Sequence, residues 1–473
     1  MERKPAFSAP IARAFLVTAL LALAAALLAG CDLPLGTPEA TAPTAEPELT
    51  ATPEATPEYP PGVTPIIFWE PYALDRPQGI LLSEMVRDFE TENPDIVVEI
   101  VPKSGYIGIH GAMMAGIDQG GEAGSDLLPN LAVAFPSMIA EYAEAGVVAP
   151  LDGYLFDPEI GFSDEDWADI YTGTLEAGRL PGFGGQLLAF PFVHNAIGMW
   201  VNQTLLQRAG WERTPATWEE FEQACYDIRD ATGKQCYPFI ESVSTFNAWL
   251  YSRGGRQLDE SGRRAVFNDL AGVESLALVR RLMDAGLAWR PEGPYGDYTA
   301  FTEGQAAFTF SSTGNSPLYW EAYQAALQRG VEPFAWRQAP IPQLDPAHPA
   351  TVSYGASFFV LKGEPEQEAA AWRLIRWFSD RDQTARWASS LETMPLRISA
   401  LTVMTDTLET YPFFQTQVRQ ILPYARPEPA VAAELDIRDI LYTAIISVTQ
   451  YGADPQVVLD QAAREANEVL SRP

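Results

Sequence analysis

Histidine and cysteine are scarce, since the 473-residue chain contains only three of each. The histidines form no HExxH pattern and the cysteines form no CxxC pair. Protein zinc sites and histidine-rich catalytic metal centres draw their ligands from such clusters, so we expect neither a metal nor a cofactor. The six residues are His110, His194, His348, Cys31, Cys225 and Cys236.

Three common catalytic signatures are also missing. The sequence has no GxSxG nucleophile elbow, no GxxxxGKS/T phosphate loop and no GxGxxG dinucleotide fingerprint. These absences remove the most common classes of hydrolase, nucleotidase and dehydrogenase from consideration.

Basic residues are few compared with acidic ones. The chain has 31 lysines and arginines against 62 aspartates and glutamates, a net charge of −31. Such a surface repels phosphate backbones, so we expect no nucleic-acid partner. The hydrophobic content of 47% is that of a folded globular protein, and the length predicts about two or three domains.

The apolar run near the N-terminus is too short for a stable transmembrane helix. It covers residues 14–28, about 15 residues against the roughly 20 that a bilayer requires. Basic residues precede it and small residues follow it, which is the layout of a secretory signal peptide over residues 1–30. The string LAGC resembles a bacterial lipobox and ends at Cys31. We therefore predict lipidation of Cys31, with an uncleaved anchor or a plain signal peptide as the alternative.

The segment after this cysteine is rich in proline, threonine and glutamate. Residues 31–64 include the run TPEATAPTAEPELTATPEATPEYPP, which has few apolar side chains to bury. Such a composition predicts a disordered, extended chain. We interpret it as a tether that holds a folded body clear of a membrane, on the extracytoplasmic face of the cell.

The body begins with alternating strand and helix patterns. Residues 66–69 and 96–100 are apolar strands, and between them Leu82, Met85, Val86 and Phe89 recur with helical spacing. A further apolar strand at 131–134 precedes a helical stretch at 137–145. This alternation predicts an α/β fold with a parallel sheet.

Later segments also carry clear signals. Thr217 and Glu220 form the S/T-x-x-E pattern of a capped helix start. Residues 305–310 and 357–361 read as buried strands. The segment 431–470 is helical in pattern, with a break near Gly452.

Five segments follow one another in a characteristic order. They are FETENPDIVVEIV, LLPNLAVAFPSMIAEYAEAGVVAPLD, LLAFPFVHNAIGMWVNQTLLQRAGWERTPATWEEF, FTEGQAAFTFSSTG and YGASFFVLKGEPEQEAAAWRLIRWFSD. Together they resemble the bacterial extracellular solute-binding proteins of ABC sugar importers, the family related to maltodextrin-binding protein. Asn130 stands where that family usually has aspartate, and Phe308 where it usually has methionine.

The resemblance implies the α/β fold of a type II periplasmic binding protein, with two lobes and a ligand cleft between them. The crossings between the lobes are expected near 192–197, 310–314 and 362–365. The implied lobes are residues 65–194 with 312–362 for lobe 1, and 195–311 with 363–473 for lobe 2.

The resemblance also implies a function. We expect a monomeric, non-catalytic receptor that captures a mono- or oligosaccharide by lobe closure and delivers it to the transmembrane subunits of an ABC permease. Two alternatives stay open. One is an exported glycosidase with two catalytic carboxylates, although no spacing in the sequence selects such a pair. The other is a sensory accessory protein that presents bound ligand to a receptor.

Ten residues are candidates for ligand contacts. A sugar presents apolar faces and a ring of hydroxyl groups, which aromatic rings and planar polar groups match. Strand ends and crossing segments, where the resembling family places its ligand contacts, supply such residues here. Core packing or a hinge hydrogen bond is the alternative for each. The candidates are Trp69, Glu70, Phe135, His194, Asn195, Phe246, Asn247, Trp249, Asn315 and Tyr354.

Cys225 and Cys236 are expected to pair with each other. An exported protein meets an oxidising environment, where an even pair of cysteines tends to be bridged. Two buried thiols are the alternative, because a sequence does not give the separation of the two Cα atoms.

Overall fold

The computed structural model describes residues 59–472 apart from 294, 392 and 412. The expected signal peptide, the expected lipidation site Cys31 and nearly all of the expected tether lie outside these described residues. Within them, no helix is both long and apolar enough to span a membrane.

The described chain contains twelve strands, numbered here in chain order. They are β1 (Thr64–Glu70), β2 (Ile96–Pro102), β3 (Leu131–Ala134), β4 (Phe190–Pro191), β5 (Asn195–Asn202), β6 (Tyr237–Pro238), β7 (Ala288–Trp289), β8 (Phe308–Ser312), β9 (Trp336–Ala339), β10 (Thr351–Tyr354), β11 (Ser357–Val360) and β12 (Ala425–Pro427).

The α-helices are likewise numbered along the described chain. They are α1 (Pro77–Glu92), α2 (Gly105–Asp118), α3 (Pro136–Glu144), α4 (Asp152–Leu155), α5 (Asp164–Asp169), α6 (Thr172–Glu176), α7 (Gln203–Arg208), α8 (Trp218–Thr232), α9 (Val243–Ser252), α10 (Leu270–Asp284), α11 (Gly296–Thr302), α12 (Ser316–Gln328), α13 (Pro365–Phe378), α14 (Arg381–Leu391), α15 (Thr405–Thr410), α16 (Phe413–Thr416), α17 (Glu434–Thr449) and α18 (Pro455–Leu470). Short 3-10 turns lie at Pro181–Phe183, Thr313–Asn315, Ile398–Thr402 and Leu422–Tyr424, and a π turn at Gln417–Ile421.

The first sheet has the strand order β2-β1-β3-β11-β4. β1 runs parallel to β2 and β3, whereas β11 runs antiparallel to β3 and β4. The buried face of α1 is formed by the predicted Leu82, Met85, Val86 and Phe89. Thr64, expected as the last tether residue, already pairs with Ile96 in the sheet.

The second sheet has the strand order β12-β10-β5-β8, and β9 also pairs with β5. β5 is antiparallel to β8, β9 and β10. Helices α8, α9, α10, α17 and α18 contribute to the core beside this sheet. Each sheet therefore has its own core, and two α/β lobes result, as predicted.

The crossings between the sheets correct the expected lobe boundaries. The first crossing, between β4 and β5, falls at 192–194, within the expected range. The chain does not cross near 310–314, because β8, β9 and β10 all pair within the second sheet. It returns to the first sheet at 355–356. There Gly355 and Ala356 separate two short, largely buried strands that belong to different sheets.

The expected crossing near 362–365 is wrong as well. Helix α13 stays on the first core, with Trp372, Ile375 and Phe378 buried there. Trp387 and Leu396 belong to the same core, so the last crossing lies between α14 and α16. Lobe 1 is here defined as residues 64–191 with 357–396, and lobe 2 as residues 195–354 with 413–472.

Cys225 and Cys236 are joined by a disulfide, with a Cα–Cα distance of 5.0 Å. The bond links α8 to the residue before β6, and both cysteines are buried in the core of lobe 2. At the start of α8, Thr217 accepts a hydrogen bond from the backbone N–H of Glu220 (3.2 Å), as its capping pattern predicted. The Glu220 carboxylate instead accepts from the backbone N–H of Ala216 (2.8 Å).

Candidate ligand-binding site

A cavity of about 370 Å³ lies between the two lobes, directly beside the first two crossings. Both lobes contribute to its wall, so a molecule inside it would contact both at once. Lobe 1 supplies Phe135, Pro136, Ser137, Thr174, Ala177, Pro191 and Ser357. The crossing segments supply Val193, His194 and Gly355, and lobe 2 supplies Ser244, Ser353, Tyr354, Pro427, Glu428, Pro429, Glu434, Leu435 and Arg438.

The wall from lobe 1 is built at the carboxyl end of β3. Phe135 follows this strand and precedes α3, so it lies at the sheet edge where open α/β sheets bind their ligands. Its ring packs on Tyr106, with 5.0 Å between the ring centroids. The start of α3, at Pro136 and Ser137, completes this side of the cavity.

The floor of the cavity is formed by the crossing segments. Tyr354 pairs with Asn195 across the end of β10 and the start of β5. The backbone N–H of Val193 donates to the carbonyl of Ala356 (3.0 Å), which ties the two crossings together. A Cβ atom on Gly355 would lie 1.8 Å from the Val193 carbonyl oxygen, so this close approach requires glycine.

His194 lies on the same floor and is buried. No described residue offers a hydrogen-bond partner to its Nε2 atom. Burial lowers the pKa of His194 to about 4, so its ring is neutral at pH 7. The buried ring therefore adds no charge to the floor of the cavity.

The wall from lobe 2 carries an ion pair. The Nη1 atom of Arg438, on α17, donates to both carboxylate oxygens of Glu428 at 2.7 Å each. Ser244, on α9, donates to Oε1 of Glu428 (3.0 Å) and accepts from Nη2 of Arg438 (3.1 Å). Ser244, which is distant in sequence from both partners, therefore helps to fix the ion pair at the cavity surface.

A hydrogen-bond relay continues behind this pair. Asn247 donates from Nδ2 to Glu428 (3.1 Å) and to Gln257 (2.9 Å). Gln257 in turn donates to the two carboxylate oxygens of Glu434, at 3.0 and 2.9 Å. Burial, together with the negative charge of Glu428, raises the pKa of Glu434 to about 8. Glu434 therefore retains its proton at neutral pH.

Glu70 ends β1 at the cleft edge of lobe 1 and is fully buried. Its Oε2 accepts from the backbone N–H of Tyr72 (2.6 Å), and no described residue offers a partner to Oε1. Burial raises the pKa of Glu70 to about 7. The Tyr72 hydroxyl lies 3.4 Å from the Tyr106 hydroxyl, and Tyr106 packs on Phe135, so Glu70 is linked to the cavity through two tyrosines.

Only part of the predicted residue set comes together at the cavity. Phe135, His194 and Tyr354 line it. Asn247 lies behind the wall and bonds to Glu428, while Glu70 is linked to the wall as just described.

The remaining candidates lie elsewhere. Trp69 is buried in the core of lobe 1, with the Lys103 ammonium 3.8 Å from the centroid of its ring. Trp249 is buried between Trp218 and Phe310, at centroid distances of 4.7 and 4.9 Å, and Phe246 belongs to the same core.

The two polar candidates near β8 also lie off the cavity wall. Asn195 accepts from the Thr313 hydroxyl (3.4 Å). Asn315 donates to Ser311 (2.9 Å) and contacts the Tyr298 hydroxyl.

Sequence reasoning missed the ionic wall formed by Ser244, Glu428, Glu434 and Arg438. Glu434 and Arg438 are four residues apart, a spacing that normally indicates an exposed pair on one helix face. In the structure Arg438 instead bonds to Glu428, which lies outside the helix. The proline on each side of Glu428 was a usable signal, because it restrains the loop that presents this carboxylate.

The side chains that could bind a metal ion were also considered. Among the described residues, no group of three or more histidines, cysteines, aspartates and glutamates is placed to hold a metal ion. The groups that face the cavity are suited to hydrogen bonding and to contact with apolar surface.

Two lobes, each with its own sheet, and a cavity at their crossings define a two-lobed binding protein. The family model described as bacterial extracellular solute-binding protein matches residues 84–416, and the chain belongs to this family. Its members are binding proteins, so the glycosidase alternative is set aside.

Solved structures share this fold. The sugar-binding protein MalE from Xanthomonas citri is 20% identical, with a TM-score of 0.72 over 86% of this chain and 98% of its own. The cyclic alpha-maltosyl-1,6-maltose binding protein from Arthrobacter globiformis is 22% identical, with a TM-score of 0.69 over 86% and 99%. UgpB from Mycobacterium tuberculosis, solved with glycerophosphocholine, is 20% identical, with a TM-score of 0.63 over 87% and 99%.

Proposed function

We propose that this protein is the carbohydrate receptor of a bacterial ABC importer. The observation that carries the proposal is the cavity at the crossings, because lobe 1 and lobe 2 both contribute to its wall. A ligand that contacts both lobes favours the closed arrangement over the open one, and so shifts the equilibrium between them. The closed form would then dock on the transmembrane subunits of the permease.

The wall chemistry supports a carbohydrate as the ligand. Phe135 and Tyr354 offer aromatic rings to the apolar face of a sugar ring. Ser244 and Ser353 offer hydroxyl groups that can hydrogen-bond to those of the sugar, and the neutral ring of His194 adds no charge. This combination of apolar surface and a few polar groups is typical of small-molecule sites.

The named ligands of two structural neighbours, MalE and the maltosyl-maltose binding protein, are carbohydrates, which agrees with the wall chemistry. The glycerophosphocholine bound to the third shows that the fold also accommodates a phosphodiester. The fold alone therefore does not determine the ligand class, which depends on the side chains that line this cavity.

We further propose that the receptor is held on the extracytoplasmic face of the cell membrane by lipid on Cys31. The lipobox string and the proline-rich residues 31–64 support this arrangement. A tethered receptor stays close to its transporter, which raises its effective concentration there without any new contact.

The proposal is tested by a thermal-shift screen of the purified full-length protein. The panel contains neutral mono- and oligosaccharides, polyols, sugar phosphates and short peptides. We expect a neutral carbohydrate to raise the melting temperature, because a ligand that binds only the folded state stabilises it by mass action. No shift with any carbohydrate, together with a shift from a peptide, would overturn the carbohydrate assignment.

A further inference from the structure

We propose that Glu428 makes the cavity selective for uncharged ligands. Its carboxylate already binds the guanidinium group of Arg438, which an anionic ligand would need. The inference deepens the proposed function, since it rests on the same cavity. Among the described residues that line this cavity, Arg438 is the one lysine or arginine. His194, the other basic residue of the wall, is neutral at pH 7.

The geometry of the pair leaves little of Arg438 available. Its Nη1 bonds to both oxygens of Glu428 at 2.7 Å each, and its Nη2 bonds to Ser244 at 3.1 Å. The side chain of Glu428 is 15% exposed and that of Arg438 is 30% exposed, so water screens the pair weakly. Charge-assisted bonds of this kind are the strongest that an arginine forms.

The position of Glu428 is fixed independently of Arg438. Its backbone N–H donates to the carbonyl of Ser353 (3.2 Å), and the preceding Pro427 pairs with Ser353 at the end of β12. Ser244 and Asn247 each donate a hydrogen bond to its carboxylate. The carboxylate therefore cannot swing away from Arg438 without losing three partners.

An anion in this cavity meets an unfavourable balance of charge. The charges of Glu428 and Arg438 cancel, and no other described lysine or arginine lines the cavity to attract an anion. An anion that takes the Nη1 group of Arg438 must displace Glu428 and leave that carboxylate buried without its cation. An anion that uses only the remaining N–H groups lies beside the Glu428 carboxylate, which repels it. Selectivity of this kind comes from repulsion of the wrong ligand.

An uncharged polyhydroxy ligand avoids this cost. Its hydroxyl groups can donate to the carboxylate of Glu428 and accept from the remaining N–H groups of Arg438 while the ion pair stays intact. The wall thus favours a neutral sugar over a sugar phosphate or a uronate, two ligands that offer the same ring faces and hydroxyl groups.

The test compares wild type and Glu428→Gln, both as full-length protein, by thermal shift and calorimetry. The probes are glucose, glucuronate, glycerol 3-phosphate and inorganic phosphate. In wild type we expect no binding of the three anions at millimolar concentration. Glu428→Gln keeps the side-chain shape but releases Arg438, so we expect it to bind at least one anion about tenfold or more tightly than wild type does.

Two further variants sharpen the comparison. Glu434→Gln removes a carboxyl group from the same wall but leaves the ion pair in place, and we expect no comparable gain. Glu428→Gln combined with Arg438→Gln should lose the gained affinity, because the released cation is then absent.

The proposal is overturned if wild type binds these anions as tightly as it binds any neutral sugar. It is also overturned if a folded Glu428→Gln protein gains no anion affinity. If that variant does not fold, the proposal is decided by the affinities of wild type for glucuronate and for glucose. Anion affinity gained by the variant, without carbohydrate binding by wild type, would support the role of Glu428 and contradict the proposed carbohydrate function.

Discussion

At the scale of single residues, Glu434 makes the free energy of unfolding depend on pH. Its pKa is raised from 4.5 to about 8 by burial and by the charge of Glu428. In the folded protein it therefore keeps a proton that the unfolded chain releases above about pH 4.5. Since the folded state then binds more protons than the unfolded state, the free energy of unfolding falls as pH rises through this window.

We predict that Glu434→Gln weakens this fall between about pH 5 and pH 8. The amide can still accept one of the two hydrogen bonds from Gln257, and it does not titrate. Urea unfolding of both proteins at several pH values measures the slope. Glu409→Gln, at an exposed position on α15, is the matched control and should leave the slope unchanged. Equal slopes for wild type and Glu434→Gln would contradict the prediction.

The candidates that line the cavity are Phe135, His194 and Tyr354. Phe135 follows a recognisable buried strand, whereas His194 and Tyr354 were proposed from the resemblance, which places ligand contacts at strand ends and crossing segments. Glu428 could not be found in this way, because its partner Ser244 lies 184 residues away in sequence. Only the completed fold brings the two together.

Trp249 illustrates the opposite case. Its aromatic type suits a sugar face, but its helical spacing from Phe246 suits a core equally well. The structure places both residues in the core of lobe 2. The chemistry of the side chain alone does not decide whether a tryptophan lies in the core or in the ligand site. Its exposure depends on which other segments pack against its helix.

At the scale of elements, the crossing segments are the most sensitive part of the molecule. Gly355 passes so close to the neighbouring crossing that a Cβ atom would lie 1.8 Å from the Val193 carbonyl oxygen and 2.7 Å from the His194 Cα atom. These are backbone atoms, so a side chain at this position must push the two segments apart. The floor of the cavity would then be displaced.

We predict that Gly355→Ala lowers the free energy of unfolding by about 1–3 kcal/mol, the usual cost of an overpacked site. It should also weaken ligand binding, because His194 and Tyr354 move with the crossings. Chemical denaturation and calorimetry measure the two effects.

Gly111→Ala is the control for this substitution. Gly111 is exposed on α2 with open space around its Cα atom, and alanine is favoured over glycine in a helix by up to about 1 kcal/mol. This variant should be as stable as wild type or more so, with unchanged binding. If Gly355→Ala behaved like Gly111→Ala, the tight crossing described here would be wrong.

Most individual elements follow from local sequence. The helical spacing of α1, the capped start of α8, the strands β2 and β3, and the break near Gly452 all appear as predicted. What local sequence did not determine is which sheet a strand joins. β10 and β11 are both short and largely buried, and two residues between them separate the lobes.

At the scale of the whole molecule, the membrane anchor is the feature that sequence alone supports. We predict that Cys31→Ser either releases the protein from the membrane fraction or stalls its processing, because serine lacks the sulfur that carries the lipid. Cell fractionation measures the distribution. Ligand binding by the released protein should equal that of wild type. Unchanged membrane retention would contradict the assignment of Cys31.

The two-lobed architecture was predicted correctly, but the division of the chain between the lobes was not. Residues 312–354 were expected in lobe 1 and pair within lobe 2, while α13 was expected in lobe 2 and packs in lobe 1. Both errors have one cause, since strand partners and helix faces are chosen by contacts between segments that are distant in sequence.

The central claim is that one cavity between the lobes binds the solute, and the ring of Tyr354 is a direct probe of it. Loss of a buried aromatic contact costs about 1.5 kcal/mol or more, which is about tenfold in affinity. Tyr451→Ala is the matched control, because Tyr451 is 79% exposed and absent from the cavity wall.

The decisive measurement is calorimetric titration of wild type, Tyr354→Ala and Tyr451→Ala with the carbohydrate that the thermal-shift screen identifies. We predict one binding site per chain, an affinity at least about tenfold weaker in Tyr354→Ala, and no change in Tyr451→Ala. Equal affinities for wild type and a folded Tyr354→Ala protein would contradict the assignment of this cavity as the binding site.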